Sequence, residues 1–219
     1  MSTFLTINVT NNEATQGFYF FQQPAIYTGG EQVYSNSLYS QTLANYSASG
    51  SQLTFQVNLQ YYAGIQEANT KPQVGQSSGY SSASRAIDLA TKDHTGNDST
   101  IASLNPLSLS APANNPGVQE GAFRITTPVF SAPPYYNVGS AVNVNGGIVL
   151  SNFVQANPNS NTDCQPILQY YVATGQYTPG SVMNFTQTSA TAALCDFTGG
   201  YTVANVTRNK DGSWSVSYI

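Results

Sequence analysis

Leu53-Thr-Phe-Gln-Val-Asn-Leu-Gln-Tyr61 alternates without a break. Leu53, Phe55, Val57, Leu59 and Tyr61 share one face, and Thr54, Gln56, Asn58 and Gln60 share the other. A period of two with one apolar and one polar face specifies a strand in an antiparallel sheet, wet on one side. The neighbouring sequence repeats this signal. Strand patterns cover Phe18–Phe21, Gln32–Tyr39, Ala122–Thr127 and Gly147–Val154, and Leu5, Ile7 and Val9 share a face opposite Phe4. Turn chemistry separates them at Thr28-Gly29-Gly30, Asn145-Gly146-Gly147, Thr178-Pro179-Gly180 and Thr198-Gly199-Gly200. At the far end, Tyr201–Thr207 and Ser213–Ile219 flank Arg208-Asn-Lys-Asp-Gly212, whose Asp-Gly step supplies a left-handed turn position, so a β-hairpin is expected there.

The expected fold is therefore all-β: an antiparallel β-sandwich formed by residues 1–219 as a single domain, with a C-terminal hairpin. Helix is nearly absent; the one amphipathic candidate, Ser84–Thr91, is too short to stand alone. Two polar stretches, 66–84 and 92–117, are long for loops. They read either as loops over one end of the sandwich or as carriers of short strands. The N-terminal strand Thr3–Thr10 contains neither Lys nor Pro, the residues that usually blunt an edge, and is expected to be an edge open to a neighbouring chain.

Composition limits function. Only 7% of the 219 residues are charged, against about 25% in an average domain, and there are 15 tyrosines and one Trp. The six basic residues, Lys71, Arg85, Lys92, Arg124, Arg208 and Lys210, are scattered singly, which argues against nucleic-acid binding. The net charge of −4 gives little self-repulsion. No apolar run reaches the length of a membrane-spanning helix. Met1–Thr10 has no basic n-region and no apolar core, so it does not read as a signal peptide. Cytoplasmic synthesis is expected, with any release by a non-classical route or through a leader trimmed from this sequence. Five glycosylation sequons, at Asn8, Asn45, Asn97, Asn184 and Asn205, are what a chain this rich in Asn, Ser and Thr produces by chance.

Catalytic material is scarce. Lys92-Asp-His-Thr-Gly-Asn-Asp98 places His94 near two carboxylates, as a general base or a cation loop would require, but the spacing matches no calcium loop. A thiol dyad of His94 with Cys164 or Cys195 rests only on there being one His. No nucleophile elbow and no phosphate loop is present. No enzyme activity, metal or cofactor is expected. The two cysteines either pair, closing a loop of about 32 residues worth roughly 3–4 kcal/mol, or remain reduced.

The tyrosine doublets are the candidate binding residues. Neighbouring strand residues face opposite ways, so each of Tyr61-Tyr62, Tyr135-Tyr136 and Tyr170-Tyr171 should send one ring inward and one outward. Tyr61 goes with the core and Tyr62 outward, whereas the phase around Tyr170 and Tyr171 is ambiguous. Tyr62, Tyr135, Tyr136, Tyr170 and Tyr171 are thus the candidates for an exposed aromatic surface, which suits sugar stacking or protein contacts. Rings that merely shield the rim of the core are the structural alternative.

The two ends carry a likeness. Leu5-Thr-Ile-Asn-Val-Thr-Asn-Asn12 followed by Phe18-Tyr-Phe-Phe-Gln-Gln-Pro24 resembles the opening of the rhizosphere-induced RhiA-like proteins. Gly147–Asn159, Gln169-Tyr-Tyr-Val-Ala-Thr-Gly175, Tyr177-Thr-Pro-Gly180 and Asp211-Gly-Ser-Trp-Ser-Val216 are similar to that family's later strands, turns and closing hairpin. The likeness covers residues 3–24, 51–68 and 147–219. Tyr61-Tyr-Ala-Gly-Ile65 stands where the family tends to place tryptophans. The resemblance implies a small β protein and carries over no catalytic residue. Three functions fit these observations. The first is a non-enzymatic structural or interaction protein that self-associates as a homo-oligomer. The alternative is a carbohydrate-binding module or lectin with a glycan ligand, and a further one is a membrane-active β-sandwich.

Overall fold

The computed structural model describes residues 3–219, about half of them in strands. The first strands are β1 (Phe4–Asn11), β2 (Gln16–Gln22), β3 (Ile26–Thr28), β4 (Val33–Asn36), β5 (Tyr39–Leu43), β6 (Leu53–Asn58) and β7 (Tyr62–Ala68). The middle adds β8 (Ser81–Ala86), β9 (Ser99–Leu104), β10 (Leu107–Leu109), β11 (Phe123–Thr127), β12 (Tyr135–Val144) and β13 (Gly147–Gln155). Then come β14 (Ser160–Gln165), β15 (Gln169–Thr174), β16 (Val182–Met183), β17 (Ala193–Asp196), β18 (Val203–Arg208) and β19 (Trp214–Tyr218). Two helical turns, α1 (Tyr46–Ser49) and α2 (Phe185–Ser189), complete the described elements.

The alternating residues of β6 bury Leu53, Phe55 and Val57, as their phase requires. They lie in a ten-stranded sheet ordered β16-β4-β13-β12-β6-β1-β18-β19, with β7 pairing β12 and β8. A four-stranded sheet, β17-β15-β2-β5, covers the part of it formed by β6, β1 and β18. Their common core holds Leu5, Ile7 and Val9 with Phe18, Phe20, Tyr170 and Val172. Phe20 and Phe55 stack across it with centroids 4.4 Å apart; truncating a buried Phe of this kind to Ala costs about 3–5 kcal/mol. A five-stranded sheet, β10-β9-β11-β14-β3, covers the other part, and Phe123 and Ile125 meet Ile65, Val138 and Val154 in a second core.

The long hairpin β12–β13 serves both cores. β12 pairs β7 from Tyr135 to Ala141 and meets β6 only at Val144. A register shift between Ser140 and Ala141 leaves Ser151 as the extra residue on β13. The extra residue shifts the phase of β13 by one, so that Val149 and Val154, five positions apart, face the same side and reach the first and the second core. Tyr27 secures this bulge. Its hydroxyl lies 2.7 Å from the Asn152 carbonyl and 2.8 Å from Asn152 Oδ1, and accepts the Ser140 N–H at 3.1 Å. Burial pushes the Tyr27 pKa well above 10, so it stays a hydroxyl. Gly139 is required here, because a Cβ would stand 2.4 Å from the Tyr27 hydroxyl and 2.3 Å from the Asn152 carbonyl.

Several expectations are corrected. β1 is not an edge: it pairs antiparallel with β6 and parallel with β18. That ladder and the β9–β11 ladder make the two larger sheets mixed. Gln32–Tyr39 is not one strand, because the chain crosses from one sheet to another at Ser37 and Leu38, whose N–H groups bond Ser181 and Phe20. Ser84–Thr91 forms no helix; Ser81–Ala86 is strand β8, and Ile87 and Ala90 bury from the loop that follows. The polar stretches 66–84 and 92–117 carry the end of β7, most of β8, and all of β9 and β10. The C-terminal hairpin forms as expected, as β18 and β19.

Candidate functional site

The candidate tyrosines have unequal fates. Tyr170 is buried in the first core, with its ring 6.3 Å from Phe55. Tyr171 is half-buried on the opposite face, stacked on Phe21 at 5.0 Å and edge-on to Phe185 of α2, and its hydroxyl donates to Gln23 Oε1 at 2.8 Å. Neither ring is outward, because the four-stranded sheet is covered on both faces; this is why the phase was ambiguous. Tyr62 keeps its predicted face but is half-buried against Leu150 and Phe153. The expectation of exposed rings therefore fails at Tyr62, Tyr170 and Tyr171. The remaining doublet is not fully exposed either: Tyr136 is buried and Tyr135 half-buried.

Tyr135 and Tyr136 open β12 and point to opposite faces of the sheet. Tyr136 belongs to the second core, with Phe130 edge-on at 5.0 Å, and Tyr135 is half-buried on the other side. Both rings reach a cleft of about 450 Å³ at the end of the β12–β13 hairpin. Tyr34 of β4 supplies a third wall, held flat against Phe153 at 5.5 Å. Phe130 supplies the fourth. Gln32, Gln155 and Asn157 add amides to this aromatic lining, and Glu31 and Lys71 add one charge of each sign.

The hydrogen-bonding capacity of the cleft is largely uncommitted. Tyr34 donates its hydroxyl to Gln32 Oε1 at 3.2 Å. Among the described residues, the side-chain amides of Gln155 and Asn157 and the hydroxyls of Tyr135 and Tyr136 have no side-chain or backbone partner within bonding distance. The Tyr136 pKa is raised by burial and by the nearby Glu67 carboxylate, so its hydroxyl remains a donor. Aromatic faces with unspent amides and hydroxyls can stack on an apolar ring face and bond the hydroxyls at its edge.

The other candidate chemistry does not come together. In the Lys92–Asp98 segment the carboxylates fold the loop: Asp93 Oδ1 accepts from Thr95 Oγ1 at 3.1 Å, and Asp98 Oδ1 accepts from the Asn115 N–H at 3.0 Å. His94 sits at a left-handed turn position with φ 51°, and its carbonyl accepts from Asn114. Cys164 is buried in the second core and Cys195 in the first, both free, so the two thiols do not pair. Burial pushes each thiol up to about 12, far from a reactive thiolate.

Comparison with family models, with curated proteins and with solved structures gives no match. Sequence reasoning found two of the four rings in the cleft and missed Tyr34, Phe130 and the amides. One signal was present for Phe130: Pro128, Pro133 and Pro134 bracket it, a composition that holds an aromatic residue out of the regular ladder.

Proposed function

We propose that this protein binds an uncharged glycan in the cleft formed by Tyr34, Phe130, Tyr135 and Tyr136, without transforming it. The gathering of four aromatic rings around unspent amides carries this reading. Tyr135 supplies the stacking face, and Gln155 and Asn157 bond hydroxyls at the sugar's edge. A neutral ligand fits a cleft whose two charges are opposite in sign. Elsewhere on the molecule the outer face of β6, β1 and β18 is likewise a ladder of neutral groups, in which Thr54 donates to Asn8 and Asn8 to Asn205, each at 3.0 Å.

A glycan array followed by calorimetric titration tests the proposal. The expected result is binding to neutral oligosaccharides that Tyr135→Ala weakens by about tenfold or more, equivalent to ~1.4 kcal/mol, with unchanged circular dichroism. Gln155→Ala weakens it less. An array blank for neutral glycans, or full affinity in Tyr135→Ala, refutes it.

A further inference from the structure

β19 closes the largest sheet and pairs only with β18. In that ladder Val203 and Ile219 exchange both backbone bonds, at 3.3 and 3.0 Å, and the Asn209 N–H donates to Ser213 at 2.9 Å. Antiparallel alternation then directs the N–H and C=O groups of Ser213, Ser215, Ser217 and Ile219 toward β18. Those of Trp214, Val216 and Tyr218 point to the open side. Among the described residues, none of these outward backbone groups has a hydrogen-bond partner.

The side chains of β19 hold the strand in place. Trp214 Nε1 donates to the Thr191 carbonyl at 2.9 Å, and the Tyr218 hydroxyl accepts the Asp196 N–H at 2.9 Å while lying 3.3 Å from the Leu194 carbonyl. These bonds cap the free edge of β17. Among the described residues nothing comparable caps β19. Edge strands are usually protected by Lys, Pro, a bulge or an inward charge. Residues 213–219 contain no charged residue and no proline, and the β18–β19 register is continuous.

We infer that β19 pairs antiparallel with β19 of a second copy of this chain, about a two-fold axis at Val216. The register is self-complementary. Val216 exchanges bonds with its own copy, and Trp214 faces Tyr218 of the other chain as a cross-strand aromatic pair. On the outer face Ser215 meets Ser217, so hydroxyls oppose hydroxyls and no like charges meet. The nearest cation on the adjoining strand, Arg208, is neutralised by Glu13 at 2.7 Å. This surface is distinct from the tyrosine cleft and does not depend on the proposed glycan.

Light scattering on a concentration series, joined to hydrogen exchange, tests the inference. The mass is expected to rise from 23.3 kDa toward twice that value, with the amides of Val216 and Tyr218 gaining protection as it rises. Val216→Pro removes an outward donor, which an edge strand tolerates, at the cost of trimming a half-buried side chain that packs on the first core, and is expected to weaken association by about tenfold or more. The double variant S215K/S217K places like charges opposite one another at exposed positions and should do the same without altering the thermal midpoint. A chain that stays at 23.3 kDa up to its solubility limit overturns the inference. So does a dimer that survives both sets of changes, or an edge whose amides gain protection only when a different protein is added.

Discussion

Tyr27→Phe removes one oxygen from the point where the two cores meet. In the wild type that oxygen accepts the Ser140 N–H and donates to one of two Asn152 oxygens. Asn152 Oδ1 keeps its bond from the Ala25 N–H at 3.0 Å, so the carboxamide remains anchored. The Ser140 N–H, on a residue only 2% exposed, is left without an acceptor. A lost neutral hydrogen bond is worth about 1 kcal/mol, and a buried donor left unsatisfied costs about 1–3 kcal/mol. Because these figures overlap, the expected loss is ~2–3 kcal/mol. For a chain of this length that lowers the thermal midpoint by roughly 5–10 °C. Urea unfolding followed by far-ultraviolet circular dichroism measures it, with Tyr135→Phe as the control, expected within about 0.5 kcal/mol of wild type. Since β12 and β13 supply side chains to both cores, the loss should appear as one shifted transition. A Tyr27→Phe loss below about 0.5 kcal/mol, or a second transition in the wild type, refutes the reasoning.

Gly139→Ala drives a methyl group into the same hydroxyl and the Asn152 carbonyl, and is expected to destabilise by ~3 kcal/mol or more; a urea midpoint near wild type contradicts that placement. The thiols predict an alkaline limit. Both are raised by burial from 9.0 to about 12, so between those pH values the unfolded chain binds fewer protons than the folded one. Their contribution is complete below pH 9 and falls by about 1.4 kcal/mol per pH unit per thiol above it. Urea midpoints should be flat from pH 7 to 9 with respect to these groups and drop by pH 10.5, and a thiol reagent at pH 8 should label neither cysteine until the chain unfolds.

How much could be read from sequence depended on how many faces of each strand are covered. Leu53–Asn58 has one wet face, so its phase gave the buried residues directly. The same held for Leu5, Ile7 and Val9. Alternation says which face is buried but not whether both edges are paired, which is why β1 read as an edge while lying between β6 and β18. Tyr170 and Tyr171 lie in a sheet covered twice, which erases the alternation. β8 was hidden for a different reason. Ser81-Ser-Ala-Ser-Arg-Ala86 has little intrinsic strand preference, and pairing with β7 imposes its conformation. The cleft was half legible: a doublet within one strand can be seen in a sequence, whereas Tyr34 and Phe130 join it only through tertiary contacts.

The parallel ladder between β1 and β18 also sets an order of events during synthesis. Asn8 and its bonding partner Asn205 are separated by 197 positions. The first strand leaves the ribosome with one flank that nothing can fill until nearly all the remaining chain has been made. Contacts this distant in sequence are slow to form, and an emerging strand with Leu5, Ile7 and Val9 on one face is an adhesive surface while it waits. Cells producing this protein quickly would therefore be expected to need a holding chaperone, and a permuted chain that brings residues 203–208 next to residue 4 should fold faster than the natural order.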